Sequence, residues 1–353
     1  MWTYIGSTAS GKQEGIHVGR WNAASGVIED LRLAYACTQP SFQVTASLGS
    51  GMYLFSGHQP QETRAALSSF RVSGNGDLEM VNTIEVDDEP ESFVQIALDR
   101  THRVLVSVSY RSSKVRTFQV EPDGRLSQPV VEFTLHGSGP NVQRQAKSHS
   151  HGAVVSPDNK FVLINDLGTD KIMIYRLDPG TGKLEPNEPP FYKANPGSGP
   201  RHTTFHPNGT AAYAINELDS TITTMAWDAE HGSLHTLENT PTTAPDVDIA
   251  TNRAGEVALD ASGRFLYACN RGAVEELLDY NVSADGKLTL ASRIPLDGKE
   301  ARHFAISPDG KWLVVAEQFS NIVSVYQRDQ ASGALKPSGS RHSINNPSCI
   351  SFA

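Results

Sequence analysis

The chain is poor in cysteine, in basic runs and in long apolar stretches, and each shortage excludes a class of protein. Three cysteines, Cys37, Cys269 and Cys349, occur in 353 residues. So low and odd a count does not make a disulfide framework and suits a reducing compartment, so a cytoplasmic location is expected. Each cysteine lies in or beside apolar, strand-like sequence, where it reads as a small buried hydrophobe. No Lys/Arg-rich run appears, and 30 basic against 39 acidic residues give a net charge of −9. Nucleic acid needs a concentrated basic face and is not expected as a partner. No apolar run approaches the roughly 20 residues of a membrane helix, so no membrane partner is expected either. The opening Met1-Trp2-Thr3-Tyr4-Ile5 reads as a strand and not as a secretion signal. No Gly-X-Ser-X-Gly elbow supports serine-hydrolase chemistry. The glycine pair around Asn75 falls in an outer hairpin turn, which makes a phosphate-loop reading weak.

What is present is a repeat. A short apolar strand, a Pro-Asp-Gly-like turn and a second apolar strand recur, followed by a polar loop and an outer hairpin. Clear copies start at Ala153, Thr204, Val257 and Phe304, with weaker ones at Phe42 and Phe93. The residues that end the second strands, Ser56, Ser109, Asp166, Asn216, Asn270 and Glu317, recur about every 50 residues, the size of a four-stranded propeller blade. The apolar period is two, which disfavours a helical solenoid. Six full copies leave two fragments. The C-terminal Pro347 to Phe352 matches a first strand, and the N-terminal Trp2 to Ser7 matches a second. Joined, they complete a seventh blade and remove an exposed sheet edge. The expected fold is therefore all-β: one seven-bladed β-propeller domain over residues 1–353, closed by its terminal strands.

In such a blade the first strand lines the central channel and the second runs back antiparallel, so the start of one and the end of the other share a rim. That rim gathers His149 and His151, Arg201 and His202, and Arg302 and His303 from first strands. Asp166, Glu217, Arg271, Glu317 and Gln318 come from second strands. Arg144 and Gln145 lie in a loop reaching the same rim. Several guanidiniums converging in an acidic protein suit a small anion, because arginine forks match carboxylate or phosphate. His206 falls in a far-rim turn and reads as structural. A zinc site on His149-X-His151, with His202 or Glu217 as third ligand, is weighed against the neighbouring arginines, which repel a divalent ion, and no metal is expected.

On these residues the chain resembles the seven-bladed lactonases, a family containing bacterial 6-phosphogluconolactonases and fungal 3-carboxymuconate cyclases. The resemblance rests on Arg144-Gln145, His149-Ser150-His151, Asp166-Leu167-Gly168, Gly199-Pro200-Arg201-His202, Asn216-Glu217-Leu218, Asn270-Arg271-Gly272 and Arg302-His303-Phe304. It implies a lactone-hydrolysing or lactone-forming enzyme with no required cofactor. The family's active-site histidine, arginines and glutamate fall on His149 or His151, Arg201, Arg271 and Glu217. The family's usual Pro-His-Ala-His is here Ser148-His149-Ser150-His151, a change that borders the substrate. The expected reaction is hydrolysis of a small anionic, sugar-acid type lactone. Glu217 is read as general base, His151 or His149 as the acid for the leaving alkoxide, and Arg201 and Arg271 as ligands of the substrate anion or oxyanion. The same residues serve a cycloisomerase, and a propeller is also a common interaction scaffold. A monomer or weak homo-oligomer is expected.

Overall fold

Seven four-stranded antiparallel sheets follow one another around a closed ring in the computed structural model, which describes residues 1–9, 14–61, 64–88 and 93–353. Their innermost strands are Pro347–Phe352, Thr38–Leu48, Phe93–Leu98, Ser150–Val155, Pro200–Phe205, Asn252–Leu259 and Ala301–Ile306. We number the blades 1 to 7 in that order. Each innermost strand touches the next around the ring, the last meeting the first. Closure is by the terminal strands: Pro347–Phe352 pairs antiparallel with Trp2–Ser7, with Tyr4 opposite Ser351 and Ile5 opposite Ile350. Among the described residues the only helix is the 3-10 turn Gln318–Ser320, and no helix is long and apolar enough to cross a membrane.

The hydrophobic core is distributed between the blades. Seven apolar clusters each fill one interface between neighbouring sheets. Between blades 4 and 5, for example, Phe161, Leu163 and Ile174 pack against Phe205, Met225 and Trp227. This explains why the second strands read as almost unbroken apolar runs. Val104–Ser109, Phe161–Asp166, Ala211–Asn216 and Trp312–Glu317 are buried at every position, since a blade lies over each of their faces. Each large side chain so buried contributes about 1.5–3 kcal/mol.

Side chains of one blade also reach the outer turn of the next. Tyr4, Tyr213 and Tyr267 donate their hydroxyls to the carbonyls of Gly76, Gly286 and Gly333, at 2.8, 2.8 and 2.7 Å. Gly333 shows why this turn needs glycine. Its φ is +78°, and a Cβ there would lie 2.3 Å from the Phe265 ring.

One irregularity positions the site. In every blade the ladder between the inner two strands shifts register near the same rim. In blade 4, Ser150 pairs with Asp166 and Gly152 with Asn165, so His151 is the extra residue. The extra residue is Val94 in blade 3, Arg201 in blade 5 and Arg302 in blade 7. In blade 6 two residues, Gly255 and Glu256, are skipped. A bulge re-aims the side chain it frees and bends the strand. Here it delivers Val94, His151 and Arg302 to the channel mouth.

Candidate active site

A cavity of about 430 Å³ opens at this rim, lined by Val94, Tyr110, Arg144, His151, Glu217, Arg253, Arg271, Glu300 and Arg302, among others. Two elements of the fold supply most of it. Val94, His151 and Arg302 are bulge residues of innermost strands. Tyr110 and Glu217 each follow the residue that ends the regular pairing of a second strand, Ser109 and Asn216, while Arg271 lies in the longer second strand Phe265–Gly272, opposite Arg253. A larger groove of about 630 Å³ lies near the opposite rim around His206 and Arg264, but no cluster of charges converges there. There His206 Nε2 meets the Gly263 carbonyl at 3.1 Å, in a contact between blades 5 and 6.

Glu217 is the hub. Its Oε1 accepts from Arg144 Nη2 at 2.5 Å, and its Oε2 lies 2.8 Å from Arg271 Nη2 and 3.3 Å from Arg201 Nε. His151 Nε2 stands 3.9 Å from the same Oε2. Burial by itself would raise the Glu217 carboxyl, but Arg271, Arg201 and Arg144 outweigh it and hold the group at about 2. Glu217 is thus a permanent anion. A second carboxylate extends the wall: Glu300 ion-pairs with Arg271 and, at 3.2 Å, with Arg253.

Arg302 is different. It lines the cavity but makes no ion pair or hydrogen bond among the described residues. Burial, with Arg201 and Arg271 nearby, pushes its guanidinium down to about 9. It remains charged at neutral pH, so the mouth holds a cation with no counter-charge in contact.

The histidines separate. His151 is buried, and burial followed by Arg201, His202, Arg302 and Arg271 pushes it well below its usual range, so its ring is neutral. His149 turns aside. It stacks on Tyr110 at 4.3 Å between centroids, and its Nδ1 lies 2.9 Å from the Tyr110 carbonyl oxygen. Of the pair, His151 is the one that lines the cavity.

Several residues expected at the mouth are engaged elsewhere. Asp166 accepts from Ser148 Oγ, His149 N, Gly168 N and Thr169 Oγ1 at 2.7 to 3.1 Å, which spends its oxygens on the loop supporting the histidines. Gln145 is fully buried and donates to the Leu167 carbonyl and Asp170 Oδ1. Gln318 donates to Thr8 Oγ1 in the neighbouring blade. His202 and His303 each follow a bulge residue and face Glu256 deeper in the channel wall. Tyr110, Arg253, Glu300 and Glu256 were not anticipated. Tyr110 had a signal, because it occupies the same place after a second strand as Glu217. Glu256 had none, because it emerges only through a double bulge. Among the described residues no group of three His, Cys, Asp or Glu side chains is placed to hold a metal ion.

Comparison with known proteins agrees with this architecture. The chain is 29% identical over 353 residues to a 6-phosphogluconolactonase of Formosa agariphila, covering 98% of each chain. It is 27% identical over 354 residues to the 6-phosphogluconolactonase of Bacillus subtilis, covering 99% of this chain and 97% of that one. The solved periplasmic gluconolactonase of Pseudomonas aeruginosa superposes with a TM-score of 0.90 at 28% identity, over 99% of this chain and 98% of the other. The profile of the family described as "Lactonase, 7-bladed beta-propeller" matches residues 2–352, and the chain belongs to that family.

Proposed function

We propose that the chain acts as one domain over residues 1–353 and hydrolyses a sugar-acid lactone bearing an anionic group, at the mouth of its channel. The observation that carries this reading is Arg302, a half-buried guanidinium without a carboxylate partner beside a ring of arginines that already have theirs. An anion entering the cavity supplies the missing charge at reduced cost, since the protein has already removed part of the cation's water. The cavity volume suits a single small substrate.

Hydrolysis then needs a proton acceptor for water, a cation for the oxyanion and a donor for the leaving oxygen. A carboxylate held at about 2 by three guanidiniums is a weak base, so we move the proton-accepting role from Glu217 to His151. The neutral imidazole takes a proton from water as its oxygen attacks the lactone carbonyl. Arg271 faces the oxyanion. The imidazolium returns the proton to the ring oxygen as the ester C–O bond breaks, releasing the open-chain acid. Glu217 holds Arg144, Arg201 and Arg271 in place and stabilises the transient imidazolium. The bound anion offsets Arg302 and Arg271, two of the charges that oppose protonation of His151. The site is complete within one chain, so a monomer or weak homo-oligomer suffices. We place the protein in the cytoplasm, where three free thiols stay reduced.

The test is proton release in weak buffer, above the spontaneous rate, with 6-phosphogluconolactone, gluconolactone and an uncharged simple lactone, alongside cyclisation of a carboxymuconate. The anionic lactone is expected to lead in kcat/KM by about 10–100-fold. Equal turnover of charged and uncharged lactones removes the role of Arg302. Cyclisation without hydrolysis replaces the reaction.

A further inference from the structure

Below the mouth, a second set of titratable side chains runs along the channel wall on neighbouring innermost strands. His151 on blade 4 meets His202 on blade 5 edge-to-face, with ring centroids 5.1 Å apart. His202 Nδ1 lies 2.8 and 3.0 Å from the two oxygens of Glu256 on blade 6. Glu256 Oε2 lies 3.9 Å from His303 Nε2 on blade 7. His202, Glu256 and His151 are buried, and neither Glu256 nor His202 lines the cavity. Rim packing does not require a glutamate at this depth.

The contacts fix the tautomers. Glu256 stays ionised: burial opposes this, but His202, His303 and Arg201 outweigh it. Its Oε1 also accepts the Val257 amide at 3.1 Å. His202 therefore carries its proton on Nδ1 and donates it to Glu256. Arg201 Nη1, also near that nitrogen at 3.2 Å, has its own acceptor in the Gly255 carbonyl at 2.6 Å. This leaves His202 Nε2 as a bare lone pair, buried and unpartnered. In the neighbouring ring His151 Nδ1 is likewise buried and unpartnered. The two unmatched nitrogens belong to the two rings in contact, and no hydrogen bond joins them in this arrangement.

We infer that His202 and Glu256 form a positioning pair for His151, with His202 Nε2 the acceptor for a His151 Nδ1–H when the two rings turn toward each other, so that His151 Nε2 presents its lone pair toward the cavity. This rests on the proton-accepting role given to His151 above. The logic is that of a base oriented by a second group and backed by a buried carboxylate. Glu256 also offsets the charge on His151 once it has taken a proton. The charged and titratable groups around His151 are Glu217, Arg201, Arg271, Arg302, His202 and, through its ring, Tyr110. Of these and the residues behind them, Glu256 is the anion on the channel side.

The first measurement needs neither substrate nor variant. Nitrogen-15 shifts of His151, assigned with His151→Gln, are expected to show Nδ1 protonated and Nε2 bare in the wild-type protein at neutral pH. A resting Nε2–H form overturns the inference. The second uses Glu256→Gln and His202→Phe with 6-phosphogluconolactone. Both are expected to lower kcat by about 10–100-fold with KM changed less than about threefold. In Glu256→Gln the acid limb of the kcat/KM profile moves to lower pH, because removing the carboxylate makes His151 easier to deprotonate. Loss of fold alone does not produce that limb shift. Unchanged kcat and pH profile in both variants overturn the inference even if the tautomer is as expected. If the wild-type protein opens no lactone, the proposed function fails, while the nitrogen shifts still decide the pairing.

Discussion

Replacing Glu217 by Gln removes one negative charge from a buried site and keeps its shape. Its carboxyl sits at about 2 in the folded protein against an ordinary 4.5. At about 1.4 kcal/mol per pH unit, that difference contributes about 3 kcal/mol of stability at neutral pH. An independent route agrees, because breaking a buried ion pair by removing one partner costs about 3–5 kcal/mol. The sign follows from the depressed value: the contribution is full above about 4.5 and is lost as pH falls toward 2. Urea unfolding of both proteins, followed at neutral pH and in steps down to acid, is therefore expected to show a gap of about 3 kcal/mol that closes between those limits. Titrations of all other groups are common to both proteins and largely cancel. Added phosphate is expected to narrow the gap, since an anion can take up the charges that Glu217 balanced. A neutral-pH gap below about 1 kcal/mol, or one that does not change with pH, refutes the hub role of Glu217.

The same electrostatics predicts an opposite sign at Arg302. Its guanidinium is disfavoured by the fold at neutral pH, so Arg302→Met is expected to raise stability by about 1–2 kcal/mol in urea titrations, while raising KM for an anionic lactone about 10–100-fold. His151→Gln is expected to lower kcat by about 10²–10⁴, whereas His149→Gln, which loses a stack on Tyr110 and a contact with its carbonyl outside the cavity, lowers it less than about tenfold. Steady-state kinetics of the two proteins separates them, and equal losses contradict the assignment. Deleting 347–353 removes the innermost strand of blade 1 and exposes the edge of Trp2–Ser7. Light scattering is expected to show association of the shortened chain, and a monodisperse monomer of unchanged melting temperature contradicts closure by pairing.

The periodic part of this protein was legible because it is local. An apolar alternation, a turn and a hairpin recur often enough to count blades, and the leftover strands at the two ends, Trp2 to Ser7 and Pro347 to Phe352, announce their own pairing. Strand direction then sorts residues to one rim, which is enough to bring Arg144, Arg201, Arg271 and Glu217 to the same opening. Which side chain faces the cavity was not legible, because it depends on a register shift that no residue type marks. His149 and His151 look equivalent in sequence, yet the bulge frees only His151 and leaves His149 on Tyr110. Asp166 and Gln145 look like site residues but are consumed by their own loops. Glu256 reads as an ordinary strand residue until a double bulge turns it to the channel wall. The sequence by itself determined the number of blades, their closure and the charge of the mouth, since those follow from short-range patterns and chain direction. The tertiary structure decided which cation lacks a partner, which histidine lines the cavity and what stands beside it, because those depend on distances between strands that are neighbours only once the ring has closed.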